Sequence, residues 1–112
     1  MIKGKKILIS LGGTYEPIDS VRGITNKSSG KMGLELAKEA YIRDADLKLV
    51  VANVSVDIPS VFDVVRVETS SEMNDAILDL ISEYDIFIST AAVSDFEFRQ
   101  KSDKKIDSSS SL

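Results

Sequence analysis

Apolar residues recur along this chain with two periods. Short runs at 7–11 (ILISL), 47–52 (LKLVVA), 62–67 (FDVVRV) and 85–89 (DIFIS) are rich in aliphatic and β-branched residues, and each predicts a buried strand. Gly12-Gly13 closes the first run, and Ile58-Pro59 breaks the loop before the third. Between the first two runs, Met32, Leu36, Ala37, Ala40 and Tyr41 stand three and four residues apart or adjacent. They predict a helix over 30–44, with Ser28 or Ser29 as its cap. Thr69-Ser70-Ser71-Glu72 has the form of a capping box, and Met73, Ala76, Ile77, Leu80 and Ile81 behind it make one apolar helix face.

Strands alternating with helices predict an α/β fold, a Rossmann-like three-layer arrangement around a mainly parallel sheet. In such sheets ligands bind beyond the carboxyl ends of the strands, where the strand order switches. Those ends are here Gly12-Gly13-Thr14 and Thr90-Ala91-Ala92, which are expected to lie side by side. The stretch 12–30 is long for a loop in a compact domain, and such loops are usually functional or disordered. The character changes beyond Asp95. A charged and then serine-rich segment without apolar period predicts a mobile flap or tail over 97–112, behind a nucleotide-binding core over 1–96.

Composition narrows the chemistry. At 112 residues, with 43% hydrophobic, the chain is large enough for one domain with a real core. It has neither cysteine nor histidine. Disulfides and thiol catalysis are therefore excluded, and a zinc site or a histidine base is disfavoured. A net charge of −4 argues against nucleic acid as a partner. With no membrane-length apolar run and no visible signal peptide, cytoplasmic location is the expectation.

Several short motifs carry chemistry. Gly12 and Gly13 after a strand allow close approach of the backbone to a ligand, or simply make a tight turn. Ser28-Ser29-Gly30-Lys31-Met32-Gly33 opens a helix, where backbone N–H groups and the helix dipole favour an anion. The same residues also read as an ordinary serine cap with a glycine for close packing. Arg22 is suited to a carboxylate or phosphate, and Asn26 to holding an acyl group, although a solvated arginine and a turn asparagine read equally well. Asp95 is suited to ribose hydroxyls, to a metal or to a plain cap, and Lys104-Lys105 to phosphates or to a solvated face. Neither the dinucleotide fingerprint nor the full P-loop pattern is present.

Taken in order, Gly-Gly-Thr-x-Glu-Pro-Ile-Asp-x-Val-Arg at 12–22, Ile-Thr-Asn-Lys-Ser-Ser-Gly-Lys-Met-Gly at 24–33 and Ala-Ala-Val-Ser-Asp-Phe at 91–96 resemble the phosphopantothenoylcysteine synthetase family, also called phosphopantothenate–cysteine ligase. The resemblance implies a ligase of coenzyme A biosynthesis. In that reaction the carboxylate of 4′-phosphopantothenate attacks the α-phosphate of CTP, or of ATP in some branches, with Mg2+ accompanying the triphosphate. Cysteine's amine then displaces the nucleotide from the acyl-nucleotide. The resemblance assigns Asn26 and Lys105 catalytic roles, and Arg22 and Asn26 to substrate. It assigns Gly12, Gly13, Ser28, Ser29, Gly30, Ser89, Thr90, Ala91 and Asp95 to the nucleotide. It further implies a homodimer, a common fusion to a flavin-dependent decarboxylase, and a domain that continues past Leu112. Gly23 and Asp107 depart from the family, which often has an aromatic residue at the first position and a lysine at the second. The competing readings are a non-catalytic nucleotide-binding fragment and a Rossmann-like dinucleotide-dependent oxidoreductase.

Overall fold

The computed structural model describes residues 2–94. Strands β1 (Lys6–Leu11), β4 (Asp46–Val51), β5 (Asp63–Arg66) and β6 (Ile86–Ser89) form a parallel sheet in the order β5-β4-β1-β6. All four lie where the apolar runs predict strands. β1, between β4 and β6, is the most deeply buried, with every residue from Ile7 to Leu11 buried. Ile7, Ile9 and Leu11 point to the layer of helix α1 (Lys31–Ile42), while Leu8 points to the layer of helix α2 (Ser70–Leu80). The result is a three-layer Rossmann-like fold. The chain returns from β4 to β5 without a helix; residues 52–62 cross as a loop that packs Val54, Val56, Ile58 and Phe62 into the α1 layer.

Helix α1 forms where periodicity places it, but of the five residues expected on its apolar face only Ala37 and Ala40 are buried. Met32 is 71% exposed, and Leu36 and Tyr41 are also exposed, whereas Gly33, Leu34, Ala37 and Ala40 are buried. The reason is volume. The sheet beneath offers Ile9, Leu11, Leu49 and Val51, all fully buried, so the facing helix stripe has to be small. Gly33 is the extreme case, since a Cβ there would stand 2.5 Å from the Thr90 hydroxyl and 2.6 Å from Leu11 Cβ. Its presence in a helix is a packing requirement of the α1–sheet contact.

The start of α1 also differs from expectation. Neither serine is the cap. Gly30 takes that position in the left-handed region at φ 82° and has no side chain with which to cap the helix. The Ser28 hydroxyl instead accepts from Gly30 N–H (3.3 Å), and the Ser29 hydroxyl from Lys31 N–H (3.2 Å).

Helix α2 begins as predicted. The Thr69 hydroxyl accepts from Glu72 N–H at 3.0 Å, and Glu72 Oε1 accepts from Thr69 N–H at 3.0 Å. Met73 is buried and Ala76, Ile77 and Leu80 are half-buried, while Ile81 has passed into a 3-10 turn and is exposed. Thr69→Ala removes one half of the capping box and is expected to cost about 1 kcal/mol. Thermal unfolding should register this as a midpoint about 4–8 °C lower.

The segment 12–30 is ordered rather than loose. It contains an antiparallel hairpin of β2 (Tyr15–Pro17) and β3 (Gly23–Thr25), paired Tyr15 with Thr25 and Pro17 with Gly23. The expected flap over 97–112, with Lys105, and Asp95 before it lie outside the described residues. No helix among the described residues is long and apolar enough to cross a membrane.

Candidate functional site at the sheet crossing point

The two strand ends expected to be neighbours are bonded to each other. Gly13 pairs in parallel with Ala92, Ala92 N–H donates to Gly12 C=O (2.8 Å), and Thr14 N–H donates to Ala92 C=O (3.0 Å). Gly13 also meets the end of β4, donating to Asn53 C=O at 2.9 Å and accepting from Asn53 N–H at 3.1 Å. A glycine is required at this junction because a Cβ on Gly13 would run into the Asn26 backbone. Gly12 sits at φ 92°, a conformation that L side chains rarely adopt.

Two clefts open on either side of this junction. One, of about 360 Å³, is lined by Thr25, Asn26, Lys27, Ser28, Ser29 and residues 53–55 of the loop after β4. The other, of about 340 Å³, lies on the α2 side; Met73, Ile77 and Phe87 are apolar members of its lining, and Ser10, Ser70, Ser89 and Ser94 contribute hydroxyls. The residues singled out from the sequence are thus divided. Asn26, Ser28 and Ser29 line the first cleft and Ser89 the second. The Thr90 hydroxyl donates to Ser10 C=O (2.8 Å) and packs by Gly33, and Ala91 packs against the α2-side core.

Asn26 joins the two sides. Its Nδ2 lies 3.2 Å from Thr14 C=O, 3.1 Å from Thr14 Oγ1 and 2.8 Å from Ser94 Oγ. A carbonyl oxygen only accepts, so the amide nitrogen must face it, which fixes the orientation of the amide. Oδ1 has no hydrogen-bond partner among the described residues. At the start of α1, the N–H groups of Met32 and Gly33 likewise have no partner among the described residues, the usual state of a first turn and one that suits an anion.

Arg22 is held by Asp19 at the tip of the hairpin. Asp19 is 6% exposed, and Oδ1 accepts from the backbone N–H groups of Val21 and Arg22, both at 2.8 Å. Its Oδ2 accepts from the guanidinium of Arg22 at 3.2 Å (Nη2) and 3.4 Å (Nε). The guanidinium is therefore oriented by an ion pair rather than freely solvated.

With this geometry, comparison with known proteins is informative. Residues 2–112 match the family described as the DNA/pantothenate metabolism flavoprotein C-terminal domain. The chain belongs to this family. It is 44% identical over 114 residues to the coenzyme A biosynthesis bifunctional protein CoaBC of Thermococcus kodakarensis, covering 99% of this chain and 28% of that protein. It is 46% identical over 95 residues to CoaBC of Vibrio vulnificus, covering 85% of this chain and 24% of that protein. Among solved structures, the crystal structure of a CoaBC C-terminal domain superposes with a TM-score of 0.80 at 39% identity, covering 88% of this chain and 50% of that one. The chain thus spans about a quarter of the length of these bifunctional relatives and half of the solved domain. The synthetase resemblance read from 12–33 and 91–96 agrees with this family, and the Rossmann-like fold with its solved member.

Sequence reading did not single out Glu16, Ser70 or Ser94. Glu16 is 3% exposed and accepts from Ser70 N–H (2.9 Å) and Ser70 Oγ–H (2.7 Å) at the first turn of α2. The available signal was Thr14-x-Glu16 at the entry to β2, where a two-residue spacing in extended chain places both polar side chains on one side.

Proposed function

We propose that this chain carries the nucleotide-binding part of a ligase that joins 4′-phosphopantothenate to cysteine through an acyl-nucleotide. Family membership supports this reading, and one observation carries it. The Asn26 amide is clamped by its nitrogen at the switch in strand order, between two clefts, with its oxygen left without a partner among the described residues. That is the position from which an amide would hold an acyl-nucleotide while an amine attacks. Ser28, Ser29 and Gly30 are proposed to meet the phosphates through the open end of α1, with Lys27 and Lys31 beside them. Gly12, Gly13, Ser89, Thr90, Ala91 and Asp95 are proposed to frame base and ribose, Arg22 the acyl substrate, and Lys105 the activation step. No strong general base is needed where positioning and charge neutralisation supply the rate.

The nucleotide is CTP, or ATP as in some branches of the family, and Mg2+ enters as part of the bound triphosphate. Among the described residues no group of three or more His, Cys, Asp or Glu is placed to hold a metal independently. A homodimer, cytoplasmic location and partnership with a flavin-dependent decarboxylase complete the proposal.

Calorimetric titration with CTP and ATP, with and without Mg2+, tests it. One triphosphate should bind saturably to the complete ligase. The double change Ser28→Ala and Ser29→Ala should weaken binding at least about tenfold, since a hydrogen bond to a charged group contributes about 1.5–3 kcal/mol. A complete ligase that binds neither nucleotide would overturn the reading. Binding by this chain alone, without turnover, would assign it the role of a nucleotide-binding module.

A further inference from the structure

The buried carboxylate of Glu16 has no cationic partner in an ion pair among the described residues. Burial of a charge is costly unless strong hydrogen bonds offset it, and here they come from the N–H and O–H of Ser70. This fixes the proton order of everything beyond. Because the Ser70 hydroxyl has one hydrogen and donates it to Glu16, it only accepts from its other neighbours. It accepts from Ser94 N–H at 3.2 Å, and Thr14 Oγ1, 3.0 Å away, must therefore be the donor to it. Thr14 Oγ1, its own hydrogen committed, accepts from Asn26 Nδ2. The acceptor oxygen of Glu16 thereby sets, through Ser70 and Thr14, the proton order that reaches the Asn26 amide.

We infer that Glu16 and Ser70 are positioning residues for Asn26. Together with Thr14 C=O, which also takes Nδ2, they hold the amide nitrogen inward on Thr14 Oγ1 and Ser94 Oγ and so keep Oδ1 as the end offered to a ligand. The structural half of this inference stands on the hydrogen bonds alone; its kinetic consequence rests on the ligase reading above. If the Ser70 hydroxyl is removed, Thr14 Oγ1 is left with Ala92 C=O at 3.5 Å as its remaining acceptor and Ser94 N–H loses its acceptor, so two of the three partners of Nδ2 are released and only Thr14 C=O stays fixed.

Two measurements separate the halves. In NMR spectra of this chain, the Asn26 side-chain N–H protons should show cross-relaxation to Thr14 and Ser94. Ser70→Ala should abolish the Ser94 contact while the backbone amide pattern of α2 is kept. Glu16→Gln, which retains one acceptor oxygen for Ser70, should preserve it. An unchanged Asn26 pattern in Ser70→Ala would overturn the inference, as would its loss in a Glu16→Gln protein whose Ser70 bonds persist. In the complete ligase, Ser70→Ala should lower kcat about tenfold with the nucleotide KM little changed. Added to Asn26→Ala, it should cost nothing more. A further tenfold loss in the double variant would place Ser70 outside the Asn26 pathway and overturn the kinetic half. If Asn26→Ala itself ligates normally, the ligase reading of Asn26 falls while the NMR result still decides the relay.

Discussion

Asn26→Ala in the proposed ligase is expected to lower kcat for ligation by about a hundredfold to a thousandfold, the usual cost of deleting a polar group aimed at the reacting centre. The nucleotide Kd should move far less, because the proposed phosphate contacts are made by the neighbouring helix start. Asn26 is proposed to hold the acyl-nucleotide during amine attack, so the loss should fall on the second half-reaction. Pyrophosphate should still appear in the first turnover, and the acyl-nucleotide should accumulate where cysteine would normally consume it. Rapid quench with separated nucleotides reads both quantities. Equal loss of both half-reactions would assign Asn26 to binding the first substrate instead. Alanine also removes the Nδ2 bonds to Thr14 and Ser94. A thermal midpoint close to wild type is therefore needed to read the loss as chemistry. Ordinary ligation by a folded Asn26→Ala enzyme would remove the residue from the mechanism.

Gly13→Ala should have the largest effect on the fold. The added Cβ meets the backbone of Asn26, with its carbonyl carbon 2.7 Å away and Ser28 N 3.3 Å away. Neither is the movable end of a side chain. Relief requires the segment that carries Asn26 and Ser28 to shift away from the strand ends. Overpacking of this kind costs about 3 kcal/mol or more, which in a domain of this size lowers the thermal midpoint by about 12 °C or more. Gly4→Ala serves as the comparison. Gly4 has a positive φ of 75° but nothing within 4 Å of an added Cβ, so only the left-handed strain of about 1–2 kcal/mol applies. Equal losses in the two variants would show that the 26–28 segment yields easily and that the junction is not rigid. If Gly13→Ala folds at all, nucleotide affinity should fall with it, since the same shift displaces Ser28 and Ser29 from the cleft.

These expectations depend on contacts of different range, and the same distinction separates what was legible in the chain from what was not. The strands were legible because a buried parallel strand reads as a near-continuous apolar run, and 7–11 and 47–52 are broken only by Ser10 and Lys48. The start of α2 was legible because a capping box spans three residues and closes on itself. The adjacency of Gly13 and Ala92 followed from the rule that βαβ units place strand ends on one edge. The face of α1 was legible only in part. Ala37 and Ala40 were read from their spacing, but Met32 and Leu36 fit the same stripe as well as Gly33 and Leu34 do, and the close approach of Leu11 and Thr90 to Gly33 decided for the latter pair.

By itself, then, the sequence determined the element types, the α2 cap, the strand ends that meet and the family to which the chain belongs. All of these are local patterns or ordered motifs. Only the tertiary structure decided that 12–30 folds into a hairpin, that Gly30 rather than a serine caps α1, and that the candidate residues divide between two clefts. It alone brought Glu16 to Ser70, 54 residues away, and Asn26 to Ser94, 68 residues away. A hydroxyl or carboxylate shows no period and no spacing for such a bond; its partner is set by where the sheet and helix α2 bring the backbone together.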